Sequence, residues 1–265
     1  MEPPSFPPDE QVRLETLQSI GILDTPPEER FDRVTRIAKR LFRVPSALVT
    51  LIDSDRQWFK SSTGSTRLRE TPRAISFCGH TILGDEVLIV PDAKKDQRFR
   101  DNPLVVGEPT IRFYAGCPLK APNGQKMGTL CIIDTKPRGF TEADVESLKD
   151  LAAIVEAELM AVQLATSDQL TSISNRRGFI GLAQNSLNIC ARQKIPASLV
   201  FMDLDKFKIL NDNFGHLAGD RALSLFAGQM EKTYRSSDIL GRLGGDEFAV
   251  LLVNTDKEDA ESFVS

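Results

Sequence analysis

The segment Ile239–Leu252 consists of two β-rich runs around Gly244-Gly245-Asp246-Glu247. Paired glycines permit a tight turn and leave no side chain in the way of an approaching phosphate. The pattern therefore predicts a β-hairpin whose returning strand begins with the carboxylates of Asp246 and Glu247. An ordinary hairpin with an acidic tip satisfies the same pattern.

A second acidic segment follows the apolar run Leu199–Leu204. Asp203 lies near the end of this run and Asp205 two residues later, so both side chains point the same way while the strand continues. If the hairpin lies beside this strand, Asp203, Asp246 and Glu247 converge into an acidic site that suits Mg²⁺-dependent phosphoryl transfer. Solvated acids at a strand end are the alternative interpretation.

The residues between these two elements suit recognition of guanine. Asp220 offers a carboxylate that accepts hydrogen bonds from guanine N1–H and the amino group, and Asn211 offers an amide that donates to O6. Adenine presents the reversed donor and acceptor on its Watson–Crick edge, so this pair predicts selection of guanine. Lys208 is a candidate phosphate contact because its ammonium group is a point charge.

Charge and hydropathy exclude several classes of partner. The 265 residues carry a formal net charge of −4, which provides no basic field for wrapping a nucleic acid. No apolar run approaches the roughly 18–20 residues that span a bilayer, and the acidic, proline-rich start lacks a signal-peptide pattern. We therefore expect a cytoplasmic protein without nucleic-acid or membrane partners.

The first half of the chain alternates short strand signals with helices at both ends, which predicts an α+β sheet domain. Asn123-Gly124 between two β-rich runs predicts a hairpin with positive φ at both turn positions. Asp24 followed by Thr25 and two prolines predicts the capped start of a helix, and residues 1–10 are expected to be a frayed tail. The strand signals are Ser46–Ile52, Gln57–Ser61, Val87–Val90, Ile111–Leu119 and Lys126–Ile133.

A long helix capped by Thr141 connects the two halves. Its apolar residues step by three and four positions, the 3.5-residue period of a coiled coil. Two interpretations stay open: the helix packs on its own sheet, or it joins two copies of the chain. The apolar positions are Val145, Leu148, Ala152, Val155, Leu159 and Val162.

Four ordered segments of the second half resemble the GGDEF family of diguanylate cyclases. Ser172 and Ile173 depart from this pattern, because the family usually has glycine and leucine there. The segments are Asp168–Arg177, Asp203–Asp212, Phe214–Asp220 and Arg242–Phe248.

The resemblance implies that two GTP molecules are condensed into cyclic di-GMP, with a homodimer through the 141–166 helix bringing two sites together. It implies Mg²⁺ or Mn²⁺ as cofactor. The implied roles are metal binding by Asp203, Asp246 and Glu247, catalysis by Asp246 and Glu247, GTP binding by Asn211, Asp220, Phe207, Lys208, Gly244 and Gly245, and product inhibition by Arg235 and Asp238.

A complete family domain continues beyond the point corresponding to Ser265. The resemblance thus implies a truncated GGDEF domain, so we expect the 265-residue chain to have little cyclase activity and the full-length protein to be active. A cyclic di-GMP-binding module or a sensory dimerisation module without catalysis is the alternative, and a phosphodiesterase domain following in a longer protein stays open.

The first half resembles a GAF sensor domain through distributed segments, which implies an antiparallel sheet with flanking helices. The resemblance leaves the ligand unknown. Cys78 and His80 are candidate ligand or redox residues, with core and capping roles as the alternative. The expected domains are 1–25 (tail and helix), 26–140 (GAF), 141–166 (connecting helix) and 167–265 (GGDEF).

Overall fold

The protein is described by a computed structural model covering residues 1–64, 68–235 and 237–261. The chain divides into two compact units, one formed by residues 1–18 and 22–161, the other by residues 19–21 and 162–265. None of the helices in the described ranges is long and apolar enough to cross a membrane.

The first unit is built on an antiparallel sheet with the strand order β3-β2-β1-β6-β5-β4. Its strands are β1 Ser46–Ile52, β2 Arg56–Ser62, β3 Glu70–Pro72, β4 Leu88–Val90, β5 Phe113–Lys120 and β6 Lys126–Asp134. Its helices are α1 Glu10–Ser19, α2 Glu29–Phe42, the 3₁₀ turn Arg73–Ile75, α3 Phe77–Thr81, α4 Pro103–Val106 and α5 Glu142–Thr166, of which α5 continues into the second unit.

Three local predictions for the first unit differ from the structure. Helix α2 begins at Glu29 rather than at Asp24, because prolines 26 and 27 disfavour helical backbone before them; Asp24 instead pairs with Arg56. The β5–β6 hairpin forms as predicted, but only Gly124 of the turn has a positive φ, of 83°. The N-terminal residues are not a frayed tail, since Pro4 is buried and the carbonyl of Glu2 accepts a hydrogen bond from His80 Nε2 at 3.0 Å.

Helix α5 packs within a single chain. Leu148, Ala152, Val155 and Leu159 are buried, and the Glu156 carboxylate accepts a hydrogen bond from the backbone N–H of Lys120 at 2.6 Å. The apolar stripe therefore covers the chain's own domain, which favours the first of the two interpretations of its period.

The second unit has a mixed sheet with the strand order β7-β9-β10-β8, in which only the β7–β9 pair is parallel. Strand β10 is buried on both faces: Phe248, Val250 and Leu252 pack with α8, and Ala249 and Leu251 pack with α6. The elements are β7 Ser174–Asn175, α6 Arg176–Gln193, β8 Ala197–Asp203, α7 Phe207–Phe214, α8 His216–Thr233, β9 Ile239–Gly244, β10 Glu247–Val253 and α9 Lys257–Glu261.

Candidate nucleotide site

The register between β8 and β10 places two of the predicted carboxylates opposite each other. Asp203, the last residue of β8, is the antiparallel partner of Glu247, the first residue of β10. Both side chains are exposed, and Asp246 lies half-buried in the adjoining turn. Asp205 lies beyond the end of the strand, so its predicted alignment with Asp203 is lost.

The turn that carries Asp246 is open. Gly244 has φ of 152° and Gly245 has φ of 56°, a region that favours glycine, and a Cβ added to either would meet nothing within 4 Å. A small ligand therefore has free access to the backbone amides of this turn, as the paired glycines predict.

Arg242 holds this turn in place, a role that spacing in the sequence did not reveal. Its Nε and Nη2 donate to the carbonyl of Gly245 at 2.9 and 2.8 Å, and its Nη1 donates to Asp168 at 3.1 Å. Asp168 also accepts from the backbone N–H and the hydroxyl of Thr171. The opening segment of the second unit is thus tied directly to the acidic turn.

The pKa of Asp168 is lowered from its ordinary value. Partial burial works in the opposite direction and raises this pKa, but the hydrogen bonds from Thr171 and the charge of Arg242 outweigh it. The carboxylate is therefore held in its charged form, as the ion pair with Arg242 requires.

The predicted guanine-binding residues lie at the junction of α7 and α8. Asn211 projects from α7 towards Gly219 of α8, where a Cβ would come within 2.0 Å of Asn211 Oδ1 and 3.1 Å of the Phe207 ring. This amide oxygen is buried and has no hydrogen-bond partner among the described residues. Asp220 is exposed one residue further on.

A cavity of about 360 Å³ opens beside the same helices, and Lys208 is exposed on α7. Its lining includes Phe207, Leu210, Asn213 and Phe214. Asn211 and Asp220 do not line this cavity, so Phe207 is the residue of the predicted GTP-binding set that borders it.

The residues at this turn fit a divalent metal by the type of their donor atoms, although they do not form a closed set of ligands. Within residues 1–64, 68–235 and 237–261, no three or more His, Cys, Asp or Glu side chains are grouped closely enough to hold an ion. The oxygen donors of Asp203, Asp246 and Glu247 are nevertheless the type that Mg²⁺ and Mn²⁺ prefer.

Of the two residues of the predicted product-inhibition site, Asp238 is held by backbone hydrogen bonds and Arg235 is exposed. Asp238 accepts hydrogen bonds from the backbone N–H of Arg235 at 3.0 Å and of Val253 at 3.1 Å, so its carboxylate braces the strands around it. The Arg235 side chain is exposed. An anion that binds at this place would meet Arg235 first.

Cys78 and His80 occupy separate environments in the first unit. Cys78 is buried with its sulfur 3.6 Å from that of Cys131, in a core that includes the stacked rings of Phe77 and Phe99. Burial lowers the pKa of His80, and its contact with the Glu2 carbonyl partly offsets this effect. The described contacts are those of core and capping residues.

Comparison with known proteins supports both halves of this description. Residues 26–159 match the GAF domain family, and residues 165–264 match the family "Diguanylate cyclase, GGDEF domain". The chain is 34% identical over 99% of its length to cyclic di-GMP phosphodiesterase PA2567 of Pseudomonas aeruginosa, and 40% identical over 37% of its length to the probable diguanylate cyclase DgcC of Escherichia coli. It spans 44% of the first relative and 26% of the second.

A crystal structure of the coiled coil and GGDEF domain of DgcB from Caulobacter crescentus in complex with c-di-GMP covers 45% of this chain and 62% of its own. The identity is 23% and the TM-score 0.43. On the two family matches, residues 26–159 belong to the GAF domain family and residues 165–264 to the GGDEF diguanylate cyclase family.

Proposed function

We propose that this chain is the sensory and cyclase part of a ligand-regulated diguanylate cyclase, which makes cyclic di-GMP and two pyrophosphates from two GTP. The observation that supports this most strongly is the register that sets Asp203 opposite Glu247 beside the open Gly244–Gly245 turn. Acidic residues next to backbone that a phosphate can approach are what GTP chemistry at this place needs.

The guanine base enters the junction of α7 and α8. Asn211 supplies an amide NH₂ that donates to O6, and Asp220 supplies an exposed carboxylate that accepts from N1–H and the amino group. Phe207 lines the apolar side, and Lys208 contacts phosphate. A nucleotide with adenine would leave these polar groups mismatched.

In the reaction, the 3′-hydroxyl of each GTP attacks the α-phosphorus of the other, a new O–P bond forms, and pyrophosphate leaves with the electrons of the broken bond. Asp246 and Glu247 are the carboxylates that would take the hydroxyl proton. Asp203, Asp246 and Glu247 would hold Mg²⁺ or Mn²⁺. When bound, the metal would neutralise the charge of the triphosphate.

Each domain holds one GTP, so the active form is a homodimer with two sites facing each other. Helix α5 remains the proposed dimer element, but through a face other than the buried stripe. Ile154, Ala157, Ala161 and Leu164 are exposed at spacings of three and four residues. This face is free to contact a second copy while Leu148 and its neighbours stay in the domain core.

The test is cyclic di-GMP formation by the full-length protein with GTP and Mg²⁺, measured by chromatography. Asp246→Asn keeps the size of the side chain and removes its charge, so product formation is expected to fall by at least about 100-fold, the scale of a lost acid–base or charge-stabilising group. Glu231→Gln, on an exposed position of α8, is the matched control and is expected to retain wild-type activity. Full activity in Asp246→Asn would refute the proposed role.

A second candidate is a cyclic di-GMP-binding module within a phosphodiesterase. It is favoured by the similarity of the whole chain to a relative named cyclic di-GMP phosphodiesterase. A parallel incubation with added cyclic di-GMP distinguishes the two, because hydrolysis of cyclic di-GMP without synthesis from GTP supports the module. In that case Arg235→Ala is expected to weaken cyclic di-GMP binding.

A further inference from the structure

A large basic cleft lies in the first unit, between helix α2 and strand β2. Its volume is about 840 Å³, within the range of small-molecule sites. Asp32 is its one acidic lining residue among those described. The cationic lining residues are Arg36, Lys39, Arg40, Arg43, Lys60 and Arg69.

Some of these cations are already neutralised. Lys60 is fully buried and bonds to Glu28 at 2.6 Å, and Arg36 pairs with Glu29. In the described ranges, no carboxylate lies within ion-pair distance of Arg40, Arg43 or Arg69. Although the chain has a net charge of −4, this cleft therefore contains a cluster of unpaired positive charges.

The arrangement on α2 is unfavourable for the isolated protein. Arg36, Lys39, Arg40 and Arg43 follow at spacings of three and four residues, which puts like charges on one helix face. Lys39, Arg40 and Arg43 lie at the C-terminal end of the helix, where the negative end of the helix dipole offsets part of this repulsion. A bound anion would remove the remaining repulsion.

We propose that this cleft binds a small molecule carrying two or more phosphate groups, of nucleotide size. Guanidinium groups bind phosphate oxygens in a two-pronged geometry, and several of them spread over one wall suit several phosphates. Pro27, Val44 and Leu68 add apolar surface to the same cleft, where an organic part can lie. The site is separate from the proposed GTP site, because every residue lining it belongs to the first unit.

The experiment is isothermal titration calorimetry of the whole chain with two probes, ATP and inorganic tripolyphosphate. ATP avoids the guanine-selective site proposed for the second unit, and the titration is repeated with Asp220→Ala to verify this. The test variant is Arg40→Glu combined with Arg43→Glu. Arg33→Glu is the matched control, because Arg33 is exposed on the same helix but does not line the cleft.

At least one probe is expected to bind at one site per chain, with a dissociation constant at least about tenfold weaker in the test variant and unchanged in Arg33→Glu and Asp220→Ala. Equal binding of both probes means that phosphates alone are recognised, and tighter binding of ATP means that a nucleotide is; either supports the site. If the double variant fails to fold by circular dichroism, Arg40→Gln replaces it.

Three results would overturn the proposal. One is the absence of binding by both probes at millimolar concentration. Another is equal weakening by Arg33→Glu, which would show an effect of overall charge. The third is binding to acidic phospholipid vesicles through these arginines without binding of either probe, because the cleft would then serve a membrane surface.

Discussion

Replacing Arg242 with alanine tests whether this side chain supports the acidic turn. Arg242 makes two hydrogen bonds to the Gly245 carbonyl, its Nη1 donates to both oxygens of Asp168, and its side chain is 14% exposed. A charge-assisted hydrogen bond of this kind contributes about 1.5–3 kcal/mol, and a partly exposed ion pair adds up to about 1 kcal/mol. The two bonds to one carbonyl share an acceptor and count once, so the expected loss is about 2–4 kcal/mol.

For a unit of about 100 residues, a loss of this size lowers the melting temperature by roughly 8 °C or more. Differential scanning calorimetry measures the transition of the second unit. Trp58, the single tryptophan, lies in the first unit, and its fluorescence is the internal control that is expected to stay unchanged. A change below about 0.5 kcal/mol in the second unit would refute the structural role of Arg242.

A double-mutant cycle with Asp168→Asn separates the ion pair from the turn contact. Asp168→Asn retains an oxygen for the Thr171 hydrogen bonds, so the coupling energy isolates the charge interaction and is expected near 1 kcal/mol. Additive effects of the two changes would show that the pair contributes nothing.

The pH dependence has a definite sign. The folded pKa of Asp168 is lowered, so its stabilising contribution is fully present above the ordinary carboxyl pKa of about 3.9 and is lost as the pH falls through the lower folded value. The difference in stability between wild type and Arg242→Ala is therefore expected to shrink below about pH 4. The part due to the Gly245 contact persists at acidic pH.

Three further substitutions test local features. Gly219→Ala places a Cβ 2.0 Å from Asn211 Oδ1, so weaker GTP binding and about 1–3 kcal/mol of destabilisation are expected, measured by calorimetry. Ser172→Gly relieves a positive φ of 65° and is expected to raise stability by about 0.5–1 kcal/mol in chemical denaturation. Thr141→Ala removes the reciprocal cap of α5 and is expected to cost about 1 kcal/mol.

Specific results would contradict the predictions for Gly219→Ala and Ser172→Gly. Gly228→Ala is the control for Gly219, because it lies on the same helix with nothing within 4 Å of its Cβ, and it is expected to stabilise the helix by about 0.5–1 kcal/mol. Equal effects at both glycines would contradict the packing argument. A loss of stability in Ser172→Gly would mean that the left-handed backbone at this position carries no strain.

Local patterns in the sequence were sufficient for much of the fold. Apolar, β-rich runs predicted most strands of both sheets, though not β3 or β7, and the paired glycines predicted the hairpin that bears Asp246 and Glu247. The departure at Ser172 also has a physical meaning, since its φ of 65° is a conformation that glycine adopts without cost. Each of these features depends on neighbouring residues alone.

Features set by distant contacts could not be read in the same way. Arg242 and Asp168 are 74 residues apart, and no spacing rule connects them. The 3.5-residue period of α5 is compatible both with packing on the chain's own sheet and with a coiled coil. The burial of Leu148 and Val155 within the chain favours the first interpretation. Asp24 has the sequence context of a helix cap, but its carboxylate is occupied by Arg56.

The end of α5 offers a short route by which a signal could reach the proposed active site. Asn175 Nδ2 donates to the carbonyl of Ala165 at 3.0 Å, and Gly178 packs so closely on Thr166 that a Cβ there would lie 2.1 Å from its carbonyl oxygen. Neither contact tolerates a shift of the helix end without rearrangement.

Asp168 follows that helix end by two residues and binds Arg242, which in turn holds the Gly245 carbonyl in the turn that carries Asp246. A displacement of α5 that stretches the Asp168–Arg242 pair therefore changes the position of a proposed catalytic carboxylate through two side chains. In the proposed cyclase, a change at this pair would alter activity without altering GTP affinity, because Asn211 and Asp220 lie outside the connection. Arg242→Lys, which keeps the charge but not the two-pronged contact, is accordingly expected to lower kcat more than it raises KM.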